Sequence, residues 1–533
     1  MAGGALPERL NVADWFLDRH VREGRGGRTA VAGVGPPLTY AELAERAGRV
    51  AAAWQELGVR PGDRVLLILP DSPDWLACFF GTIKMGAVAV PVNPFTRASD
   101  YAYYVSDCRP RLAVVEAESF AEALRVLQVP DAGFRVVTAG GRAPGCEALE
   151  DWLARCRPMS EAQNTKPDDV AFFLYTSGSG GQPKAALHRH RHMLATSDAF
   201  ARQVLGLQAD DVAFSASKLF FAYGLGNAGY FPFSAGAATV LLPERVTPEK
   251  LFDVLERHRP TLFFSVPTIY GAMLRAAEGK RPRLESVRAC VSAGEALPAE
   301  LFARFRERFG REILDGIGTT EMLHMFMSNR PGAARPGCCG PLVPGYQARL
   351  VDDEGGDAAD GAMGNLWVRG ASAFAGYWDK PALTARARQG DWVVTGDKFT
   401  RDPDGFFRYC GRGDDMLKVS GLWVSPLEVE NVLLAHAAVA EAAVVGRPDP
   451  DGLTEIVAHV VPRPHVCHPE RSLEPIGDRG EVEGPAFSEL GEQLRAFVKQ
   501  RLPGYKVPQR VEFVSELPKT ATGKIQRFKL RHP

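Results

Sequence analysis

Short runs that are apolar at every position alternate with helical patterns along most of this chain. VLLIL (residues 65–69) follows a Pro-Gly turn; WLACFFGTIKMG then reads as a helix with a glycine stop, and AVAVPV supplies the next run. A strand that is apolar throughout must be covered on both faces, which is the condition of a parallel sheet flanked by helices. Such runs return at residues 112–115, 170–175, 239–242, 261–266 and 288–292. Leu43, Ala47, Val50, Trp54 and Leu57 recur at three- and four-residue spacing and predict a helix over 38–58, with Gly58 as its cap. The expected class is therefore α/β, with parallel and mixed sheets.

At 533 residues the chain exceeds one ordinary core, so a second domain is expected. The texture changes after about Asp397, where DPDGFFRYCGRGDDMLKVSG is dense in glycine and charge. PLEVENVLLAHAAVAEAAVVG and LRAFVKQRL beyond it read as helices of a small α+β module. The boundary falls at residues 412–415, giving an N-terminal domain over 1–412 and a C-terminal domain over 413–533. Residues 464–485 lack periodicity and read as an exposed insertion.

Composition narrows the class of function. A formal net charge of −1 gives no reason to expect nucleic acid or an anionic membrane as partner. The nine cysteines are scattered without a C-x-x-C pair, so neither a disulfide framework nor a structural zinc site is expected and a reducing cytoplasm fits best. The N-terminus lacks the basic start and apolar core of a signal peptide, and no apolar run approaches the length of a membrane span.

LYTSGSGGQPKAALHRH (residues 174–190) places three glycines and a lysine after an apolar run. Phosphate loops present backbone N–H groups to anionic oxygens, and glycine allows the close approach. Residues 176–184 have that composition, although Pro183 before Lys184 and Ala185 after it exclude a Walker A loop. GLGNAG (224–229), with Glu244 beyond it, imitates a dinucleotide fingerprint. KLFFAY is a poor strand to precede one, and Pro232 interrupts the helix that should follow. In DGIGTTEMLHMF, Glu321 beside two threonines is either a helix cap or a Mg²⁺ ligand of the kind that works with substrate phosphate. VVTGDKF places Asp397 on an exposed tight turn, where a carboxylate could accept from sugar hydroxyls. Lys524 lies on a glycine turn in PKTATGKIQRFKLR.

Taken in order, YTSGSGGQPKA, SAGEALP, GIGTTE, TGDKFTRDPDGFFRYCGRGDDMLKVSG and PKTATGKIQR resemble the acyl/aryl-CoA synthetases of the adenylate-forming superfamily, and the resemblance covers nearly the whole chain. Gly180 and Ala185 depart from the usual threonine and glycine, and Ile317 replaces an aromatic residue that stacks on adenine in many members. The resemblance implies a large N-terminal ATP- and acyl-binding domain and a small mobile C-terminal domain. It implies ATP, Mg²⁺ and coenzyme A as substrates and cofactor. Thr176, Ser177, Gly178, Ser179, Gly180, Gly181 and Lys184 would grip the pyrophosphate end of ATP. Thr320 would touch the α-phosphate and Glu321 would hold Mg²⁺. Gly294, Glu295, Ala296 and Asp315 would frame adenine, while Asp397 and Arg412 would hold the ribose. Lys524 would bridge the substrate carboxylate and the α-phosphate. Asp414 matches the family's hinge, and Lys418, Ser420 and Gly421 match the segment that admits the pantetheine arm.

Two stretches look most like the benzoate-CoA ligase group. Phe221, Ala222 and Tyr223 would offer flat walls, Ala293 and Gly318 would leave room for a ring, and His324 and Met325 would close the far side. An apolar pocket rejects an added hydroxyl poorly, so 4-hydroxybenzoate, 2-aminobenzoate and other ring acids stand as alternatives to benzoate. Loading of a carrier protein, a nicotinamide-dependent oxidoreductase built on Gly224 to Gly229, and a non-catalytic nucleotide-binding protein are the rival classes. A homodimer is compatible with all of these readings.

Overall fold

Three sheets carry the first four-fifths or so of the chain, and two of them are built from the apolar runs. The computed structural model describes residues 6–118, 120–128, 133–176, 182–277, 283–419, 422–449, 453–463, 485–519 and 525–531. The first sheet has seven strands in the order Glu147–Ala148, Arg135–Ala139, Leu112–Glu116, Arg64–Ile68, Val88–Pro91, Val170–Thr176 and Lys184–Arg189. All neighbours are parallel except the last pair, which forms a hairpin. The second has eight strands: Met325–Ser328, Ile313–Gly318, Ala289–Ser292, Leu262–Ser265, Val212–Ser215, Ala238–Val240, Thr29–Ala32 and Leu38–Thr39. Its interior is parallel, and an antiparallel pair closes each edge. The fully apolar strands are the buried central ones, as two-sided coverage requires.

The helix expected over 38–58 spans Tyr40–Glu56. Thr39 caps it: its hydroxyl accepts from the Glu42 N–H, and the Glu42 carboxylate accepts from the Thr39 N–H at 2.8 Å. Leu43, Ala47, Val50 and Trp54 are buried on its inner face. Gly81 lets the helix Pro73–Lys84 close on that face, since a Cβ there would lie 2.7 Å from Ala47 O.

The third sheet is antiparallel and had no counterpart in the sequence reading. Gly364–Arg369 lies between Gln347–Val351 and the ten-residue strand Trp392–Arg401, which also pairs with Arg388–Gln389 and Phe407–Arg412. It corrects the expectation for Asp397, which is 4% exposed inside this strand rather than on an exposed turn.

Beyond it, a short 3-10 turn at Gly413–Asp415 leads to the hairpin of Leu417–Val419 and Leu422–Val424. A three-stranded sheet of Val439–Pro448, Thr454–Pro462 and Arg510–Phe513 follows, with helices Pro426–Leu434 and Pro485–Lys499. The stretch 426–446 is thus half helix and half strand, not one helix; its strand half, with Ala442 to Val445 buried in succession, pairs with Thr454–Pro462. Buried apolar clusters on the N-terminal side end at Phe407, and those on the C-terminal side begin at Leu417. Residues 464–484, nearly all of the expected insertion, lie outside the described residues. Among the described residues no helix is long and apolar enough to cross a membrane.

Candidate active site

Strands Val170–Thr176 and Lys184–Arg189 pair antiparallel at the edge of the seven-stranded sheet, with Thr176 and Lys184 as cross-strand partners. Ser177, Gly178, Ser179, Gly180 and Gly181 lie outside the described residues. The Lys184 ammonium sits 4.5 Å above the Tyr377 ring centroid and donates to the Tyr377 hydroxyl at 3.3 Å. That hydroxyl in turn donates to Glu321 Oε1 at 2.5 Å. Burial and the negative charge of Glu321 push the Tyr377 phenol well above its ordinary range, so it stays a donor. Lys184 and Glu321, more than a hundred residues apart in sequence, are therefore joined through one phenol. Tyr377 had no role in the sequence reading, and nothing local in GYWDKP marks it. It is placed by backbone pairing: Leu187 N–H donates to Gly376 O at 2.9 Å and Trp378 N–H to Ala185 O at 2.9 Å.

Thr320 and Glu321 form a 3-10 turn, Thr320–Met322, between strands Ile313–Gly318 and Met325–Ser328. Thr319 caps it by accepting the Met322 N–H at 3.2 Å. The chain then reverses through a γ-turn centred on Leu323, with φ 66° and ψ −35° and the His324 N–H donating to Met322 O at 2.8 Å. A positive φ is rare for a bulky residue and carries a cost of about 1–3 kcal/mol. This turn sends Glu321 to the Tyr377 side and His324 into an aromatic cluster.

In that cluster His324 is 2% exposed. Its ring lies 4.5 Å from Phe231, 5.1 Å from Phe200 and 5.5 Å from Tyr223, the last stacked at 30°. Its Nε2 is 3.0 Å from Asn227 Oδ1. Burial pulls its pKa down to about 3, so the ring is neutral. Tyr223 donates to Val291 O at 3.1 Å, and Phe221 and Ala222 precede it at the start of a short helix. Met325 and Ala293 are buried beside this segment. At Gly318 a Cβ would lie 2.4 Å from His324 O, so the space there is taken by the chain's own turn rather than by an open cavity. Gly224 to Gly229 are helical and follow no strand, which agrees with rejecting a dinucleotide fingerprint.

Asp315 and Asp397 are the buried carboxyls of the site. Asp315, 6% exposed, leaves Oδ1 without a hydrogen-bond partner among the described residues, and burial holds its carboxyl well above the usual range. Asp397 meets Arg412 at 3.2 Å across the third sheet, where the two are register partners. Burial pushes Asp397 up to about 6, and the charge of Glu321 adds in the same sense against the pull of Arg412. The Glu295 Oε2 accepts from the Thr268 N–H at 3.2 Å and hydroxyl at 2.7 Å, where it caps the helix Pro267–Ala276. Asp414 lies in the 3-10 turn Gly413–Asp415, and Lys418 Nζ is 5.5 Å from the Trp423 ring centroid. Ser420, Gly421 and Lys524 lie outside the described residues.

Residues 17–378 match the AMP-binding enzyme family, and residues 428–524 match the AMP-binding enzyme C-terminal domain. The chain belongs to the AMP-binding enzymes. Benzoate–CoA ligase of Thauera aromatica is 44% identical over 99% of this chain and 96% of its own length. The structure of a benzoate CoA ligase from Burkholderia xenovorans LB400 superposes with a TM-score of 0.87 at 40% identity, covering 98% of this chain and all of that one. The anthranilate CoA ligase AuaEII, solved in complex with anthranoyl-AMP, gives 0.89 at 38% identity over 98% and 97% of the two chains. The architecture is thus the adenylate-forming fold, with a large N-terminal α/β part and a C-terminal domain.

As an AMP-binding enzyme, the protein makes two testable demands on this geometry. Tyr377→Phe keeps the ring under Lys184 and removes the hydroxyl between Lys184 and Glu321. ATP-dependent turnover should fall about tenfold or more, with thermal stability within a few degrees of the parent; unchanged kinetics would show the bridge to be idle. Asp397 has a raised folded pKa, so the ionised form that accepts hydroxyl donors is lost as pH falls through about 6. The KM for ATP should therefore rise below that pH, and Asp397→Asn should flatten the dependence. The sign for folding is opposite: between the ordinary carboxyl pKa near 4 and about 6 the folded state binds more protons, so this group's contribution to stability falls as pH rises.

Proposed function

We propose that this chain joins benzoate, or a close aryl carboxylate, to coenzyme A through an acyl-adenylate, with release of AMP and pyrophosphate. The observation that carries this reading is the turn at 320–325. Within six residues it presents Glu321 to the Tyr377 phenol that also takes the Lys184 ammonium, and His324 to an aromatic cluster. A carboxylate and an aromatic cluster brought together by one turn suit a reaction that couples an aromatic acid to ATP.

A carboxylate is a poor acyl donor because its leaving group would be oxide. In the proposed first step a substrate carboxylate oxygen attacks the α-phosphorus of ATP, and the bond to pyrophosphate breaks with its electron pair leaving on pyrophosphate. Catalysis here is mainly positioning and charge stabilisation. Thr176 to Lys184 hold the β- and γ-phosphates, Thr320 the α-phosphate, residues 294–296 and Asp315 the adenine, and Asp397 with Arg412 the ribose. The unpartnered Oδ1 of Asp315 is an acceptor suited to an amino group. Glu321 offers a single hard carboxylate, and among the described residues no cluster of three His, Cys, Asp or Glu could hold a metal unaided. That donor set suits Mg²⁺ brought with the nucleotide: Glu321 would hold the ion together with the phosphates, and the ion would offset their charge. Lys524 bridges carboxylate and α-phosphate.

In the second step the thiolate of coenzyme A attacks the acyl carbon, and AMP leaves with the C–O electron pair. We assign this step to a rotated C-terminal domain, residues 413–533, turning about Asp414 so that Lys418, Ser420 and Gly421 replace Lys524 at the site. We place the enzyme in the cytosol. A ring acid carrying a hydroxyl or amino group is a second reading, favoured by the His324–Asn227 contact inside the aromatic cluster.

The reading is tested by AMP formation that depends on ATP, Mg²⁺ and CoA across benzoate, 4-hydroxybenzoate, 2-aminobenzoate, cyclohexanecarboxylate, hexanoate and acetate. Benzoate should lead; activity with aliphatic acids alone would keep the chemistry and discard the pocket. Lys524→Ala should cut adenylate formation by about 10²-fold or more while leaving thioester formation from supplied benzoyl-adenylate within about threefold. Equal loss in both steps would overturn the domain rotation.

A further inference from the structure

The strained turn that joins the nucleotide and acyl sides must be held by its surroundings, and its three carbonyls show how. Thr320 O accepts from His188 Nε2 at 2.9 Å. Glu321 O accepts from the Phe374 N–H at 2.7 Å. Met322 O accepts from the Ser372 hydroxyl at 2.7 Å. Each donor comes from a distant part of the chain. Phe374 and Ser372 belong to the segment that carries Tyr377, whereas His188 belongs to the strand that starts at Lys184.

His188 is wholly buried, stacked on Phe172 at 5.2 Å and 23°. A carbonyl accepts only, so Nε2 carries the proton. Burial pulls the imidazole pKa down to about 3, so the ring is neutral and Nδ1 is bare. His192 Nδ1 lies 3.3 Å from that bare nitrogen and itself accepts the Arg189 N–H at 3.3 Å. His188 is enclosed by protein groups and received no role in the sequence reading.

We infer that His188 is a positioning residue for adenylate formation: it ties the Thr320 peptide to the phosphate hairpin strand, so that Thr320, Glu321 and Lys184 are held in one frame. The hairpin strand then carries two devices four residues apart. Lys184 reaches Glu321 through Tyr377, and His188 reaches the preceding peptide directly. This inference rests on the adenylate-forming reading above but not on the choice of acid.

The experiment uses the full chain and three variants, His188→Leu, His188→Gln and His188→Asn, with pyrophosphate exchange for the first step and supplied benzoyl-adenylate for the second. The amide nitrogen of Gln reaches the place of Nε2, and that of Asn falls short of it. His188→Leu should lower kcat for adenylate formation about tenfold or more with KM for ATP changed less than about threefold, because the groups still bind but are misplaced. His188→Gln should recover to within about threefold of the parent. Thioester formation should suffer less than adenylate formation in every variant. If His188→Leu does not fold, the comparison of Gln with Asn decides: a Gln variant at least about fivefold faster than Asn at similar melting temperature supports the inference. Equal rates in Gln and Asn, or an undiminished kcat in a folded Leu variant, overturn it. A parent protein that forms no adenylate with any acid would refute the family chemistry instead, and is separate from either outcome.

Discussion

The strand Lys184–Arg189 is paired along both edges, and the rest of the site depends on that double pairing. On one side it closes the hairpin with Val170–Thr176. On the other it takes the hydrogen bonds of the segment that carries Tyr377. Its buried face sends His188 to the turn at the end of the eight-stranded sheet. One strand thus ties the edge of the first sheet, the approach to the third and the turn of the second. Backbone ladders set these distances, so Lys184 and Glu321 do not rely on long side chains finding each other.

The electrostatics of the site are arranged around charges held near neutral partners. Lys184 rests on a phenol ring rather than against a carboxylate. Glu321 receives a phenolic proton donor rather than a cation. Asp315 and Asp397 are buried where ionisation is costly, and only Asp397 has a cation within 3.2 Å. Polar groups fixed in a low-dielectric setting lose little by reorganising when an anionic nucleotide enters, which is the physical basis of preorganised stabilisation.

Much of this was legible in the chain. Apolar runs mark buried parallel strands because both faces must be covered, and those runs became the strands of the two large sheets. The antiparallel sheet from Gln347 to Arg412 was not legible: its strands are half buried and interrupted by charge, and this hid the burial of Asp397. The stretch after Pro426 misled because alanine and valine at that density satisfy both a helix and a paired strand, and pairing with Thr454–Pro462 decided for the strand. Tyr377 and His188 were invisible for a different reason. Each acts through a partner more than fifty residues away, and no local pattern encodes that distance.

The γ-turn at Leu323 bears on how such a protein diversifies. Glu321 and His324 stand on opposite sides of one strained peptide, so a substitution at His324 or Met325 transmits to Glu321. Phe221 to Tyr223 belong to a separate segment with its own anchorage at Val291. Under the proposed reading, a lineage acquiring a new ring acid has a permissive wall at 221–223 and a constrained one at 324–325. Drift should accumulate at 221–223 first, while changes at 324–325 should arise only alongside compensating ones around His188, Ser372 and Phe374.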